Sequence, residues 1–153
     1  HVCFMGDLSG KYPDQLGWRS NCTYGVSDIF GFDASIGYSD HGNGKFGLAT
    51  GLLGLRTNLV WYDRIIPYLV FGLGFFRPAY SMALPGGGTQ DVAPFLFGVH
   101  LGPGVTLQLS KMFFFGASVE FHNMFNTNRS ATAGPTDQGG AFISFLINGG
   151  ISL

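Results

Sequence analysis

With 153 residues, 46% hydrophobic and only 11% charged, the chain carries less than half the roughly 25% charge of ordinary soluble domains and would struggle to cover itself with a water-compatible surface. Its length suits one domain, and nothing in it reads as a linker between two cores. A formal net charge of -1, with eight Lys and Arg residues that form no run, gives no electrostatic basis for a nucleic-acid partner.

Residues 2–9 and 16–25 read as a first pair of strands joined by the turn signal Gly10-Lys11-Tyr12-Pro13-Asp14. In the second of them Leu16, Trp18, Ser20, Cys22 and Tyr24 alternate with Gly17, Arg19, Asn21 and Thr23. Residues 28–39 set Phe30, Phe32, Ala34, Ile36 and Tyr38 against Gly31, Asp33, Ser35 and Gly37, and residues 46–62 set Leu53, Leu55, Leu59 and Trp61 against Leu52, Gly54, Arg56 and Asn58. Residues 66–77 place Pro67, Leu69, Phe71, Leu73 and Phe75 opposite Tyr68, Val70, Gly72, Gly74 and Phe76. Residues 95–109 alternate for nearly their whole length, with Phe97, Val99, Leu101, Val105 and Leu107 on one face and Gly98, His100, Gly102, Gly104, Thr106 and Gln108 on the other. Residues 113–124 and 141–153 complete the series. Successive side chains of a strand point to opposite faces, so each segment offers one apolar wall and one small or polar wall.

No window supplies the roughly 18 uninterrupted apolar residues of a spanning helix. The best, residues 65–76, is interrupted by Pro67, Gly72 and Gly74. Strands need only about 9 to 11 residues to cross a bilayer, and closure into a barrel removes the edges that lipid cannot satisfy. The expected fold is therefore all-β, an eight-stranded antiparallel up-and-down transmembrane β-barrel forming one domain over residues 1–153, apolar outside and polar inside. Minimal connections at 26–27, 63–65 and 110–112 alternate with longer ones near Pro13 and at 40–45, 78–93 and 125–140. That asymmetry matches bacterial outer-membrane barrels, with long loops extracellular and both termini periplasmic. Residue 1 onward shows no export leader, so the sequence reads as a mature or trimmed form.

A soluble ligand-binding barrel of the lipocalin type would turn the same apolar face inward. The second face argues against it, because it is rich in Gly, Ser, Thr and Asn and nearly lacks Lys and Glu. Tyr24, Tyr38, Trp61, Phe75, Phe95, Phe113 and Phe121 near strand ends are placed like interfacial girdles.

The segments FGFDASIGYSDHG, GLRTNLVWYDRIIPYLVFGLGFF and FGVHLGPGVTLQLSKMFFFGASVEFH resemble the small OmpA-like outer-membrane β-barrel family, over roughly two-thirds of the chain. The resemblance implies roles such as envelope integrity, adhesion, serum resistance or incorporation into larger complexes.

The polar wall carries Arg19, Asp33, Arg56, His100, Glu120 and His122. Counted from the short turns, Arg19, Asp33, Arg56 and Glu120 fall at similar heights, which predicts one interior network among them with Asn58 and His100. Such a network plugs and orders an eight-strand lumen. Ser118, Glu120 and His122 are the local candidates for catalysis, but a lipid substrate would approach from the opposite wall and the His-x-Ser order of lipid A deacylases is missing. No catalytic, cofactor or metal site is expected: His1, His41, His100 and His122 are widely spaced, His41 reads as a solvated turn residue, and Gly86-Gly87-Gly88 precedes no helix to cradle phosphate. A hairpin centred between Tyr12 and Pro13 places Cys3 opposite Cys22, which predicts a cross-strand disulfide in an oxidising periplasm. The expected function is a non-enzymatic structural, anchoring or interaction role. Its partners would be outer-membrane lipids and other envelope proteins met through the loops or the lipid-facing wall. A lipid A-modifying enzyme and a narrow ion channel are the alternatives.

Overall fold

A computed structural model of the chain describes residues 2–5, 14–42, 46–59, 64–83, 88–125 and 140–152, with backbone alone at 2–5, 82, 83, 90 and 92. Seven long strands dominate: β2 (Gly17–Gly25), β3 (Phe30–His41), β4 (Phe46–Asn58), β5 (Ile65–Ala83), β7 (Leu96–Gln108), β8 (Phe113–Met124) and β9 (Gly140–Ile151). Two four-residue strands, β1 (Val2–Met5) and β6 (Thr89–Val92), accompany them. The described residues include no helix long and apolar enough to cross a membrane.

One sheet holds them all, in the order β1-β9-β8-β7-β5-β4-β3-β2, with β6 paired to the end of β5. Every neighbour is antiparallel, so the chain runs up and down through hairpins. The sheet curls: Arg19 on β2 bonds Glu120 on β8 at 2.7 Å, although four strands lie between them along the ladder. The right-handed twist of successive strands drives such curling.

The alternation seen in the sequence is realised in space. Along β7 the burial alternates almost perfectly, with Leu96, Gly98, His100, Gly102 and Thr106 buried and Phe97, Val99, Leu101, Val105 and Leu107 exposed. Pro103 has no N–H to donate, and the β7–β8 ladder skips Gly102 and Pro103 before resuming at the Gly104–Ser118 pair.

Two of the tight turns share one design. In Val26-Ser27-Asp28-Ile29-Phe30 the N–H groups of Val26 and Ser27 donate to the Phe30 carbonyl at 2.9 and 3.0 Å, and the Ser27 hydroxyl accepts from Phe30 N at 3.0 Å. Leu109-Ser110-Lys111-Met112-Phe113 repeats it, with bonds of 2.9 and 3.1 Å to the Phe113 carbonyl and 3.1 Å to the Ser110 hydroxyl. A serine that satisfies the N–H groups of its own turn is a recurrent device. At the other end of β3, Gly42 has φ of 72°, a left-handed conformation that favours glycine.

Several boundaries differ from expectation. The stretch 78–93 is not simply a loop: β5 continues to Ala83 and folds back onto β6, with Ser81 donating to Asp91 at 2.6 Å. The strand expected over 46–62 ends at Asn58, while Trp61 and most of 125–140 lie outside the described residues. More consequentially, β1 does not pair with β2 among the described residues. It pairs with β9, and so the two short-range partners of the expected first hairpin stand at opposite ends of the sheet order.

The expected Cys3–Cys22 bridge is accordingly not formed. Cys3 is in register with Ile143, Cys22 is in register with Ala34, and Cys22 is an exposed free thiol. The sequence argument assumed a local hairpin, whereas the β1 backbone found its ladder on the last strand.

Glycines on the inward face act as sockets for large neighbours. A Cβ on Gly104 would fall onto the Tyr68 ring, while one on Gly51 would meet nothing nearer than 4.0 Å. Gly104→Val is expected to destabilise by about 1–3 kcal/mol through overpacking, and Gly51→Ala to stay within about 0.5 kcal/mol of the parent. Denaturant midpoints of the two variants check this.

Candidate functional site: the interior of the curl

The inward face is stratified. At the long-loop end Phe46, Leu48, Leu52, Phe76, Leu96, Met124 and Phe142 form an apolar cluster, with Tyr80 packed against it. Phe76 and Phe142 meet edge to face at 5.8 Å between centroids. The interior is thus not polar throughout, as the parity of the strands suggested. Inward positions near the long loops carry Phe and Leu, which fill the space and exclude water. His41 belongs here too: it is fully buried, its ring 2.9 Å from the Ser39 hydroxyl and edge-on to Phe46, rather than solvated in a turn.

Below the apolar cluster lies a layer of ionisable groups. Glu120 on β8 receives the Arg19 guanidinium from β2 at 2.7 Å, with 9% and 13% of the two side chains exposed. The same Oε2 stands 3.9 Å from His100 Nδ1 and 3.8 Å from His122 Nε2. The second Arg19 nitrogen, Nη2, is 3.5 Å from His122 Nε2. Arginine can only donate, so His122 Nε2 is the acceptor of that long contact. The two imidazoles are stacked at 6.0 Å, and Phe142 lies against the far side of His122 at 4.4 Å. His100 is seated where Gly54 and Gly72 leave room for it.

A second group sits nearer the short turns. Arg56 on β4 donates to Asn58 at 3.2 Å and to Thr106 on β7 at 3.0 Å, and its guanidinium lies 3.7 Å above the Tyr68 ring. No ion pair reaches Arg56 among the described residues. Planar stacking on tyrosine together with neutral acceptors suits a guanidinium. Between the layers a cavity of about 960 Å³ is lined by Arg19, Asn21, Asp33, Arg56, Tyr68, Ser118, Glu120 and Asn148, with apolar residues of β2 and β9 at its rim.

All six of the expected network residues therefore face the interior region, but they do not form one network. Arg19, Glu120 and His100 make the upper group, Arg56 and Asn58 the lower, and Asp33 turns to Thr23 on the adjacent strand, accepting its hydroxyl at 2.5 Å. Counting along single strands puts the two arginines level, but along β3 Arg19 is paired with Gly37 and Arg56 with Gly31, six residues nearer the 26–29 turn. His122, Thr106 and Tyr68 are the partners that counting along single strands missed. Cross-strand register supplies them: His100 is paired with His122, and Tyr68 with Gly104. Ser118 and His122 share the buried face with Glu120, and no hydrogen bond joins Ser118 to His122 among the described residues.

The outside of the sheet is the converse. Phe32, Ile36, Leu53, Phe71, Leu73, Phe97, Leu101, Phe115, Val119, Phe145 and Ile147 are exposed on it, Ile147 by 78%. Each described charged residue on a long strand either faces inward, as Arg19, Asp33, Arg56 and Glu120 do, or lies toward the long-loop end, as Asp40 does near the end of β3 and Arg77 does just past the β5–β7 ladder. Asp28, Arg64 and Lys111 occupy the short turns.

No family model matches the chain, and neither a curated protein nor a solved structure does. The described class is an all-β protein of antiparallel up-and-down strands in a curled sheet.

Proposed function

We propose that the chain is a single-domain transmembrane β-barrel of a bacterial outer membrane, closed to eight strands by pairing of β1 with β2 in the bilayer, and akin to the small OmpA-like proteins. The observation that carries this reading is the outward face, on which large apolar side chains are exposed and the described charges of the long strands stand only toward the long-loop end. On β3 the apolar outward residues run from Phe30 to Tyr38, about 27 Å along the strand at 3.4 Å per residue, comparable to an apolar band of about 25 Å once tilt is allowed for. Water would penalise such a surface and hydrocarbon favours it. Phe75, Phe95 and Phe97, clustered at 4.9 to 6.1 Å, are suited to one interfacial girdle. The long connections then face outside the cell and the termini the periplasm.

The role that fits is non-enzymatic: structural, anchoring or interaction. The outer wall is held by lipid, and the interior is closed at its long-loop end by packed apolar side chains. Partners other than lipid would be envelope proteins that meet the loops or the wall. The apolar cluster at the long-loop end disfavours a conducting pore.

Reconstitution tests both parts. The purified protein is expected to float with phospholipid vesicles and to remain bound after a carbonate wash. The same vesicles are expected to show no sustained ion current. Release by carbonate defeats the membrane reading, and steady single-channel currents defeat the reading of the apolar cluster as a block to conduction.

A further inference from the structure

We propose that the cavity between β2 and β9 binds an anionic amphiphile, a phosphate or carboxylate headgroup on an alkyl chain, with the head held by Arg56 and the chain leaving the wall between Trp18 and Ile147. The site is built from the interior geometry; only the supply of the ligand from a bilayer rests on the proposed barrel.

Arg56 is the group that calls for an anion. Its Nε donates to Asn58 at 3.2 Å and its Nη2 to Thr106 at 3.0 Å, both neutral acceptors, and its plane lies 3.7 Å above the Tyr68 ring. These contacts fix the guanidinium without answering its charge. Nη1 donates to no described residue. The two carboxylates that share the cavity are engaged elsewhere, Glu120 by Arg19 and Asp33 by the Thr23 hydroxyl. Phosphate and carboxylate oxygens match the fork of a guanidinium held in this way. At about 960 Å³ the cavity stands at the upper end of the range that holds small ligands.

The rim calls for an alkyl chain. β1 pairs with β9 only from Ala141 to Ser144, so β9 from Phe145 to Ile151 has no ladder on that edge among the described residues. The cavity reaches this gap, its lining passing from Arg56 and Tyr68 to Trp18 on β2 and to Phe145 and Ile147 on β9. Inward residues beside the gap are correspondingly open: Asn21 is exposed and Leu146 and Asn148 are half-buried, whereas Thr106 and Ser118 on the middle strands are buried. Trp18 and Ile147 are 60% and 78% exposed, so a chain passing between them continues the apolar outer wall while its head reaches the arginine. In hydrocarbon an unladdered strand edge needs polar partners, and a headgroup in the gap supplies them. A bare inorganic anion would leave the apolar rim unused, and a neutral amphiphile would leave Arg56 unanswered.

Phosphorus and carbon NMR test the site on the protein in dodecyl maltoside micelles. The probes are dodecyl phosphate and carboxyl-labelled laurate, with inorganic phosphate as the headgroup alone. Saturable binding of one amphiphile per protein is expected, and the tighter of the two distinguishes a phosphate from a carboxylate ligand. Inorganic phosphate should bind about tenfold more weakly than dodecyl phosphate. Arg56→Gln should weaken binding of both amphiphiles about tenfold or more, the scale of a lost charge-assisted hydrogen bond. Asn148→Asp, which sets a like charge on the cavity wall at unchanged size, should weaken it too, while Arg64→Gln in a short turn should leave it unchanged. Non-saturable binding overturns the site, and so does full affinity in both Arg56→Gln and Asn148→Asp. An equal loss in Arg64→Gln and Arg56→Gln would assign the binding to general attraction by an anionic micelle and overturn it as well. Inorganic phosphate binding as tightly as dodecyl phosphate overturns the amphiphile. Saturable binding in micelles without flotation on vesicles keeps the site and removes the membrane; flotation without binding does the opposite.

Discussion

Glu120→Ala is expected to destabilise the protein by about 3–5 kcal/mol, the usual cost of removing one partner of a buried ion pair. The cost arises because Arg19 stays behind: it is 13% exposed, points into the curl, and has a histidine nitrogen rather than a carboxylate as its next neighbour. Arg19→Ala should cost less where the liberated carboxylate can turn to His122 or His100, both within 4 Å of it. The double variant should be less damaged than the sum of the singles, since each single leaves a charge that the double removes. Equilibrium unfolding in urea measures all three. A Glu120→Ala midpoint equal to the parent's would show that the pair does not hold β2 to β8.

The second large effect concerns the outer wall. Leu73 lies mid-strand on β5, paired with Leu53 and Val99, and is 60% exposed. In water, arginine at such an exposed position should change stability by no more than about 0.5 kcal/mol. In the proposed bilayer it should cost about 2–4 kcal/mol, the penalty for a cation near the midplane of a lipid-facing strand. Leu73→Arg is therefore expected to lower folding yield into vesicles and the stability of the inserted form, whereas Arg77→Leu, just past the end of the β5–β7 ladder, should not. An inserted Leu73→Arg variant as stable as the parent would remove the membrane assignment.

Much of the sheet was readable from the chain because period-two alternation is local. The core of β7, with Phe97 and Val99 outward and His100 and Thr106 inward, follows from side-chain parity alone, and so do the inward positions of Arg19, Arg56 and Glu120. The Ser27 and Ser110 turns were visible as short polar breaks, although their shared capping chemistry emerged only from the hydrogen bonds. Parity cannot say how high a residue stands on its neighbour's strand. Counting from the short turns sets Arg56 level with Arg19, whereas the ladder on β3 pairs them with Gly31 and Gly37, six residues apart, so a single expected network became two.

Cys3 and Cys22 show the same boundary more sharply. Sequence proximity favoured a hairpin between β1 and β2, but a strand pairs wherever a complementary edge is presented, and β9 presented it.

What the sequence determined by itself is which side of each strand is apolar, since that depends only on the geometry of consecutive residues. What the tertiary structure decided is which inward groups meet: Glu120 with Arg19 and two histidines, and Arg56 with Tyr68 and Thr106. Those meetings depend on cross-strand register and on the curl of the whole sheet, which carry β2 to β8 over 101 residues of chain. No local pattern encodes that distance; packing and the pairing of edges set it.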